Sequence, residues 1–489
     1  MNSNSQEIVQ QIRNEFEAMI TDMVQINPDQ IPTASAIERN LWQKMLQFGR
    51  SLMEIALVSQ AEALAPPNIT IGENKHLPFH SVKERAYRSV FGEISLPRRY
   101  YYGQNAGAFP LDAAMNLPTE ATSDMLQEWK EQLGAYIPYQ HANDILENML
   151  GQTFSNRNLQ EAILADAQHV EEFYEQSDSR LPDPQATILV IQADGKGVPM
   201  VTDPKEAPAR RSKGQKPCCK KEAIVTAVYT ISPSPRTPQS VVDSHFHPDP
   251  KREKEDRPKP HQKWLWATLK GKDAALAFTA KQVSRQNGGH ILSRVALTDG
   301  CEALQTRMQT HFPGFTLILD FIHADEYLWK AANSLLGETS SERTPWVEAR
   351  TLQMLSGQTQ SIVSELREIA NRQDLSATTV KTLISVSGYF ERNLPYMRYN
   401  EYLKAGWPIA SGVIEGACRH LVKDRCELSG MRWTPEGAEA LLRLRCVIEN
   451  GDWAAFNTYR VKQRQAQVYS YWEPKEVETQ KPPCLKMAA

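Results

Sequence analysis

The chain has 489 residues, 41% of them hydrophobic, enough for roughly two to four domains with a sizeable core. Its formal net charge of −3 gives no global sign of a nucleic-acid partner, so any DNA-binding surface has to come from local clusters of Lys and Arg. No apolar run approaches the roughly 18 residues of a membrane span, the N-terminus MNSNSQEIVQQIRNEFEAM is polar and acidic, and the seven cysteines form no CxxC pair, so the expectation is a cytoplasmic chain with reduced thiols, no membrane contact and no zinc ribbon.

Residues 1–66 read as a helical N-terminal region, with Trp42, Met45, Leu46, Leu52, Ile55 and Leu57 near helical spacing before the break at Pro66-Pro67. Residues 67–180 are mixed. RAYRSVFGEISLPRRYYYG (85–103) places β-branched and aromatic residues around a glycine, which suggests a hairpin or short sheet. YIPYQHANDILENMLGQTFSNRNLQEAILADA (136–167) holds two helical stretches around GQTFS: a first with Ala142, Ile145, Leu146 and Met149 on its apolar side, a turn containing Gly151, then a second capped by Ser155 or Asn156. This is the layout of a helix-turn-helix that could read DNA, and also that of any two packed helices joined by a short polar turn.

Beyond Pro182 and Pro184 the pattern changes, and residues 181–323 read as a new α/β domain. TILVIQAD (187–194), AIVTAVYT (223–230) and SVVDSHF (240–246) are strand candidates, followed by a helix from Asp273 to about Arg285. VALT (295–298) is a fourth strand; a helix carrying Leu304, Met308 and Phe312 follows, then a fifth strand FTLIL (315–319), for an order β-β-β-α-β-α-β. Residues 324–406 are expected to be an all-α insertion, with Tyr327, Leu328, Ala331, Leu335, Ile362, Leu366 and Ile369 at helical spacing and Gly337 as a stop. The α/β domain then resumes over 407–472, with helices over 411–430, started by Ser411 and ended by Gly430, and over 436–450. The Pro- and charge-rich tail, 473–489, is expected to be disordered.

Acidic residues fall where these strands should end: Asp194 before Gly195, Asp299 before Gly300, and Asp320 after the fifth strand. Strand ends line one edge of an open sheet, where ligands bind, and carboxylates gathered there repel one another unless a cation lies between them. Hard oxygen ligands suit Mg²⁺ or Mn²⁺, and two such ions are the usual apparatus for in-line displacement at phosphorus. Each Asp before a Gly is, taken singly, a turn residue.

KEAPARRSKGQKPCCKK (205–221) carries seven Lys or Arg against one Glu and lies between the first two strands. Arg210, Arg211, Lys213, Lys216, Lys220 and Lys221 are therefore read as a phosphate-tracking loop, in contrast with the mixed signs of KREKEDRPK (251–259). His323, Trp329 and Trp433 are read as packing residues rather than base-stacking ones.

IQADGKGV (191–198), ALTDG (296–300), FPGFTLILDFIHADEYLW (312–329) and WPIASGVIEGACRHLVKDRCELSGMRWTPEGAEALLRLR (407–445) resemble bacterial DDE insertion-sequence transposases of the IS-Kra group, relatives of the Mutator-like enzymes. The resemblance covers about 180–450 and, more weakly, 80–170, and the last motif is the most specific. It implies a multidomain α+β or α/β protein whose ribonuclease H-like catalytic core carries the all-α insertion. It also implies a first acid at Asp194, a second at Asp299 and a Glu on the helix after the insertion at Glu415, together holding two Mg²⁺ or Mn²⁺ ions. Asp320 is the alternative second acid or, farther out on the fifth strand, a helix cap or hinge that supports the site.

Asp299 and Glu415 are 116 positions apart (415 − 299), most of that stretch in the insertion. Glu415 could also be an ordinary acid in a helix's first turn, while Arg419 and Lys423, at i+4 and i+8, are expected on its face and available to DNA phosphates. The implied partners are transposon ends and target DNA, with a homo-oligomer as the DNA-bound form and a nucleoid-associated bacterial location. The alternatives are a metal-dependent structure-specific nuclease and a catalytically inactive transposase-derived DNA-binding regulator.

Overall fold

The computed structural model describes residues 3–24, 31–72, 75–177, 183–201, 220–248 and 257–472. Two compact units divide the chain, one made of residues 1–166 with 453–489 and the other of 167–452. No helix among the described residues is long and apolar enough to cross a membrane.

The first unit begins with two long helices, α1 (Ser3–Val24) and α2 (Ala34–Ala63), the second started by the Thr33 side chain accepting from Ala36 N–H. An antiparallel sheet follows in the order β1 (Asn68–Ile71), β2 (Lys75–Ser89), β3 (Gly92–Gly103), β4 (Ala106–Ala108), so the hairpin expected over 85–103 is the centre of a larger sheet. Leu57 of α2 joins Tyr87, Ile94 and Leu96 of the sheet in one core with Leu111 and Leu117, near the short helix α3 (Pro110–Ala114).

Three helices complete the run: α4 (Asp124–Tyr136), α5 (Tyr139–Leu150) and α6 (Asn156–Asp166). Gly151 ends α5 at φ +65, so the helix-turn-helix layout is present, with Ala142 and Leu146 buried but Ile145 and Met149 exposed. The helix Trp453–Val468 packs in this unit, Arg464 binding both oxygens of Asp124 at 2.8 and 2.7 Å, so the end of the 407–472 segment leaves the α/β unit.

The second unit starts with α7 (Val170–Gln176) and is built on a five-stranded sheet: β5 (Ile188–Pro199), β6 (Lys220–Ile231), β7 (His261–Thr268), β8 (Ser293–Thr298) and β9 (Thr316–Leu319). Its order is β7-β6-β5-β8-β9, with β6 antiparallel to both β5 and β7, and β8 and β9 parallel to β5. The fourth strand thus lies beside the first, as the strand count expects.

One strand assignment is corrected. SVVDSHF lies in a helix, α8 (Pro238–Phe246), because Thr237 and Ser240 form a reciprocal capping box and Pro238 takes the first helical position, where its missing N–H costs nothing. The third strand is instead β7, whose Trp264–Thr268 stretch is buried on both faces and therefore shows no alternation.

Helices cover both faces of the sheet. On one side α9 (Lys272–Gln286) meets β6 through Thr279 and Thr226, whose hydroxyls lie 2.7 Å apart. The connection between β8 and β9 is α10 (Glu302–His311). The other face carries Ile188, Val190, Val295, Leu297 and Ile318, buried against the insertion. That insertion comprises α11 (Phe321–Leu336), α12 (Arg343–Leu355), α13 (Thr359–Ala370), α14 (Ala377–Asn393) and α15 (Tyr399–Lys404), wholly helical as its periodicity expects. After it come α16 (Gly412–Ala417), a π-helical segment Cys418–Lys423, the short α17 (Asp424–Cys426) and α18 (Pro435–Glu449).

Candidate functional site

The sheet brings three acids to one level. The parallel ladder of β5 and β8 runs from Ile188↔Ser293 to Gln192↔Leu297, so two residues further on Asp194 stands level with Asp299. The ladder of β8 and β9 ends at Thr298↔Leu319, and one residue further on Asp299 stands level with Asp320. Side chains alternate along a strand, so Asp194, two residues after Gln192 and four after Val190, belongs to the face covered by the insertion. Asp194 does not end its strand, contrary to expectation: β5 continues to Pro199 because its antiparallel partner β6 pairs with it as far as Lys220. What ends near Asp194 is the parallel half of the sheet, and the edge there is the step between the two halves.

Each acid is held by local hydrogen bonds. Asp194 accepts from Gly195 N–H at 2.6 Å and from the Cys418 thiol at 3.4 Å. Burial, with Asp194 beside it, pushes the Cys418 thiol well above its ordinary range, so it stays protonated and donates. Asp299 accepts from Cys301 N–H at 3.0 Å and its own carbonyl accepts from Tyr389 O–H at 3.1 Å. Tyr389 in turn stacks on Tyr327, ring centroids 3.6 Å apart and planes nearly parallel, so the turn after β8 is fixed from the insertion. Gly300 allows that contact: at φ +86, a Cβ there would stand 2.5 Å from the Tyr389 hydroxyl.

Asp320 is fully buried and caps α11, Oδ1 accepting from Ile322 N–H at 2.6 Å and His323 N–H at 3.2 Å, while Oδ2 accepts from Ser411 N–H at 2.6 Å. One carboxylate therefore clips the entry of the insertion to its exit. Burial raises its pKa, but the hydrogen bonds from His323 and Ser411 outweigh that and hold it below the usual carboxylate value.

Glu415 sits one turn after Ser411, whose hydroxyl donates to its carboxylate at 3.2 Å, and it is exposed. Two contacts dock this helix on β5: Ile414 N–H donates to Gln192 at 2.9 Å, and Cys418 reaches Asp194. The π turn over Cys418–Lys423 departs from the 3.6-residue period assumed for Arg419 and Lys423. Both are exposed, and Arg419 lies 3.5 Å from Asp424.

The tightest cluster differs from the expected trio: the donor atoms of Asp320, His323 and Glu415 all lie within 4.8 Å of one another. Neither Asp194 nor Asp299 belongs to that group. His323 is therefore no packing residue; its Nδ1 stands 3.7 Å from Asp320, and that carboxylate, against the opposing effect of burial, raises the imidazole pKa to about 9, with Glu326 and Asp299 adding to the rise. Sequence reasoning also passed over Gln192, Cys418 and Tyr389; the available signals were the i, i+3 spacings of Asp320 with His323 and of Glu415 with Cys418, both one helical turn. Among the described residues, no Lys or Arg lies within 4.0 Å of the carboxylates of Asp194, Asp299, Asp320 or Glu415 in an ion pair.

Of the basic loop, Arg210, Arg211, Lys213 and Lys216 lie outside the described residues. Lys220 pairs with Glu427, and Lys221 is exposed at the start of β6. Trp329 donates to Asp325 at 3.1 Å and packs against the core of the insertion. Trp433 is nearly buried and joins β5 through backbone bonds to Pro199 and Val201, so both tryptophans pack as expected.

No known family profile matches the chain, and no curated protein matches it. Among solved structures, it is similar to the Drosophila P element transposase strand transfer complex, with 9% identity over 73% of this chain and 83% of that one, at a TM-score of 0.26.

Proposed function

We propose that the chain is a DDE-type DNA transposase whose second unit is a ribonuclease H-like catalytic domain, with Asp194, Asp299 and Glu415 as its catalytic acids. The observation that carries this reading is the gathering of four carboxylates at one sheet edge without a Lys or Arg ion-pair partner among the described residues. Carboxylates so placed repel one another, and a divalent cation among them would relieve that repulsion; among the described residues the His323 imidazole, 3.7 Å from Asp320, is the charged partner they have. The strand order, three antiparallel strands followed by two parallel ones beside the first, fits the same reading.

The donor set is all carboxylate oxygen at Asp194, Asp299 and Glu415, which suits Mg²⁺ or Mn²⁺. When bound, two such ions would activate the attacking oxygen and stabilise the leaving one. The chain's own residues supply position. Gln192 and Ser411 hold the turn that carries Glu415, Tyr389 holds the turn that carries Asp299, and the Cys418 thiol orients Asp194. The basic residues of 205–221, with Arg419 and Lys423, track DNA phosphates. Water attacks a phosphodiester at the transposon end and the 3′ oxygen leaves; the freed 3′-hydroxyl then attacks target DNA, forming one P–O bond as another breaks. The partners are transposon ends and target DNA, bound by an oligomer of this chain.

The test is incubation of the full chain and divalent metal with labelled DNA from the regions flanking its gene. Cleaved ends and joined product, both absent with Asp194→Asn, are the expected result. Hydrolysis with no joined product would make it a nuclease instead, and binding with no metal-dependent turnover would make it a regulator.

A further inference from the structure

The cluster of Asp320, His323 and Glu415 has a chemistry that the three-carboxylate reading does not contain. It mixes one imidazole nitrogen with two carboxylates, and the three donor atoms lie within 4.8 Å of one another. Two ligands of one ion with bonds of about 2.1 Å stand about 3.0–4.2 Å apart, so small side-chain shifts close the set. Those shifts are available where they are needed: Asp320 is the fixed, buried floor, whereas Glu415 is exposed and His323 half-buried.

A second observation concerns His323 alone. Its Nδ1 is shut off from solvent and has no hydrogen-bond partner among the described residues, although it stands 3.7 Å from Asp320 Oδ1. The ring and the Asp320 carboxylate are paired just beyond hydrogen-bond distance, and an ion entering between them would take the place of the ring's proton. Asp320 keeps capacity for this, since its two oxygens accept three N–H bonds and a carboxylate offers about four lone-pair sites.

We infer that Asp320, His323 and Glu415 form a seat for a first-row transition-metal ion, bound through one imidazole nitrogen and two carboxylate oxygens. Asp194 and Asp299 lie outside this seat. A nitrogen ligand favours Mn²⁺ and the later divalent ions over Mg²⁺, whose hard, strongly held water shell prefers oxygen. The seat shares Glu415 with the proposed catalytic trio, but its existence does not depend on the chain being a transposase.

The experiment uses the full, metal-stripped chain titrated with Mn²⁺, bound ion being read from loss of the free-ion paramagnetic signal and its ligands by pulsed EPR. The seat predicts ¹⁴N coupling to bound Mn²⁺ and displacement of Mn²⁺ only at Mg²⁺ concentrations at least about tenfold higher. His323→Gln should remove the coupling and weaken Mn²⁺ binding about tenfold or more, with the melting curve as a fold control. The double variant Asp194→Asn/Asp299→Asn should keep the coupling. Bound Mn²⁺ without ¹⁴N coupling, or a His323→Gln variant that binds as wild type does, overturns the seat. Loss of Mn²⁺ in the double variant alone would also overturn it while leaving the transposase reading intact; coupling without any DNA cleavage would do the reverse.

Discussion

Replacing Asp320 with Ala tests how the insertion is tied to the sheet. Three N–H groups lose their acceptor at once: Ile322 and His323 in the first turn of α11, and Ser411 ahead of Glu415. Loss of the helix cap costs about 1 kcal/mol, and a buried Ser411 N–H left without a partner adds about 1–3 kcal/mol. The expected destabilisation is about 3 kcal/mol, which for a unit of this size lowers Tm by roughly 6–10 °C. Asp320→Asn keeps one acceptor oxygen and can serve α11 or Ser411 but not both, so it should lose about half as much, roughly 1.5 kcal/mol. Thermal and urea unfolding of the full chain, followed by tryptophan fluorescence, measure both. A shift below about 2 °C for Asp320→Ala would refute the reasoning, because it would mean that neither end of the insertion depends on this carboxylate.

Gly300→Ala forces a Cβ onto the Tyr389 hydroxyl and a side chain into φ +86; cleavage should fall at least about tenfold, and normal activity would show that the turn carrying Asp299 is not critical. Glu131, fully buried beside Asp166 and Arg460, has its pKa raised by burial and by Asp166, so its folded value exceeds the unfolded one of about 4.3. Its favourable contribution is complete below that pH and is lost as pH rises through the folded pKa. Glu131→Gln should therefore match wild type near pH 4 and be the more stable at pH 7–8 in thermal melts; the opposite ordering would mean that Arg460 keeps the carboxylate ionised. Replacing Lys213, Lys216 and Lys221 with Gln should flatten log affinity for DNA against log salt by about 2–3 units of slope, and an unchanged slope would return the loop to ordinary solvated surface.

The parts of this fold that were readable from sequence are those with one clear period. The insertion is amphipathic at helical spacing, β8 and β9 are short buried apolar runs with turns at their ends, and β5 opens with such a run over Ile188–Ala193. SVVDSHF carries strand propensity in its two adjacent valines, whereas the Thr237, Pro238 and Ser240 cap that decides for helix lies mostly outside those seven residues. Asp194, Asp299 and Asp320 could be picked out by position, but their common level depends on strand register, which propensity does not encode. Likewise, the closeness of His323 to Glu415 spans the whole insertion and arises from Asp320 joining its two ends.

The claim that Asp299 is a catalytic acid is tested most directly by a time course of labelled transposon-end cleavage with wild type, Asp299→Ala and Asp320→Ala over a range of Mg²⁺ and Mn²⁺ concentrations. The account predicts that Asp299→Ala yields no product at any metal concentration while its unfolding free energy changes by no more than about 1 kcal/mol, since it gives up a single exposed turn bond to Cys301. Asp320→Ala should be less stable and slower but still measurably active. An active Asp299→Ala beside an inactive, folded Asp320→Ala would contradict the account and move the acids to Asp194, Asp320 and Glu415.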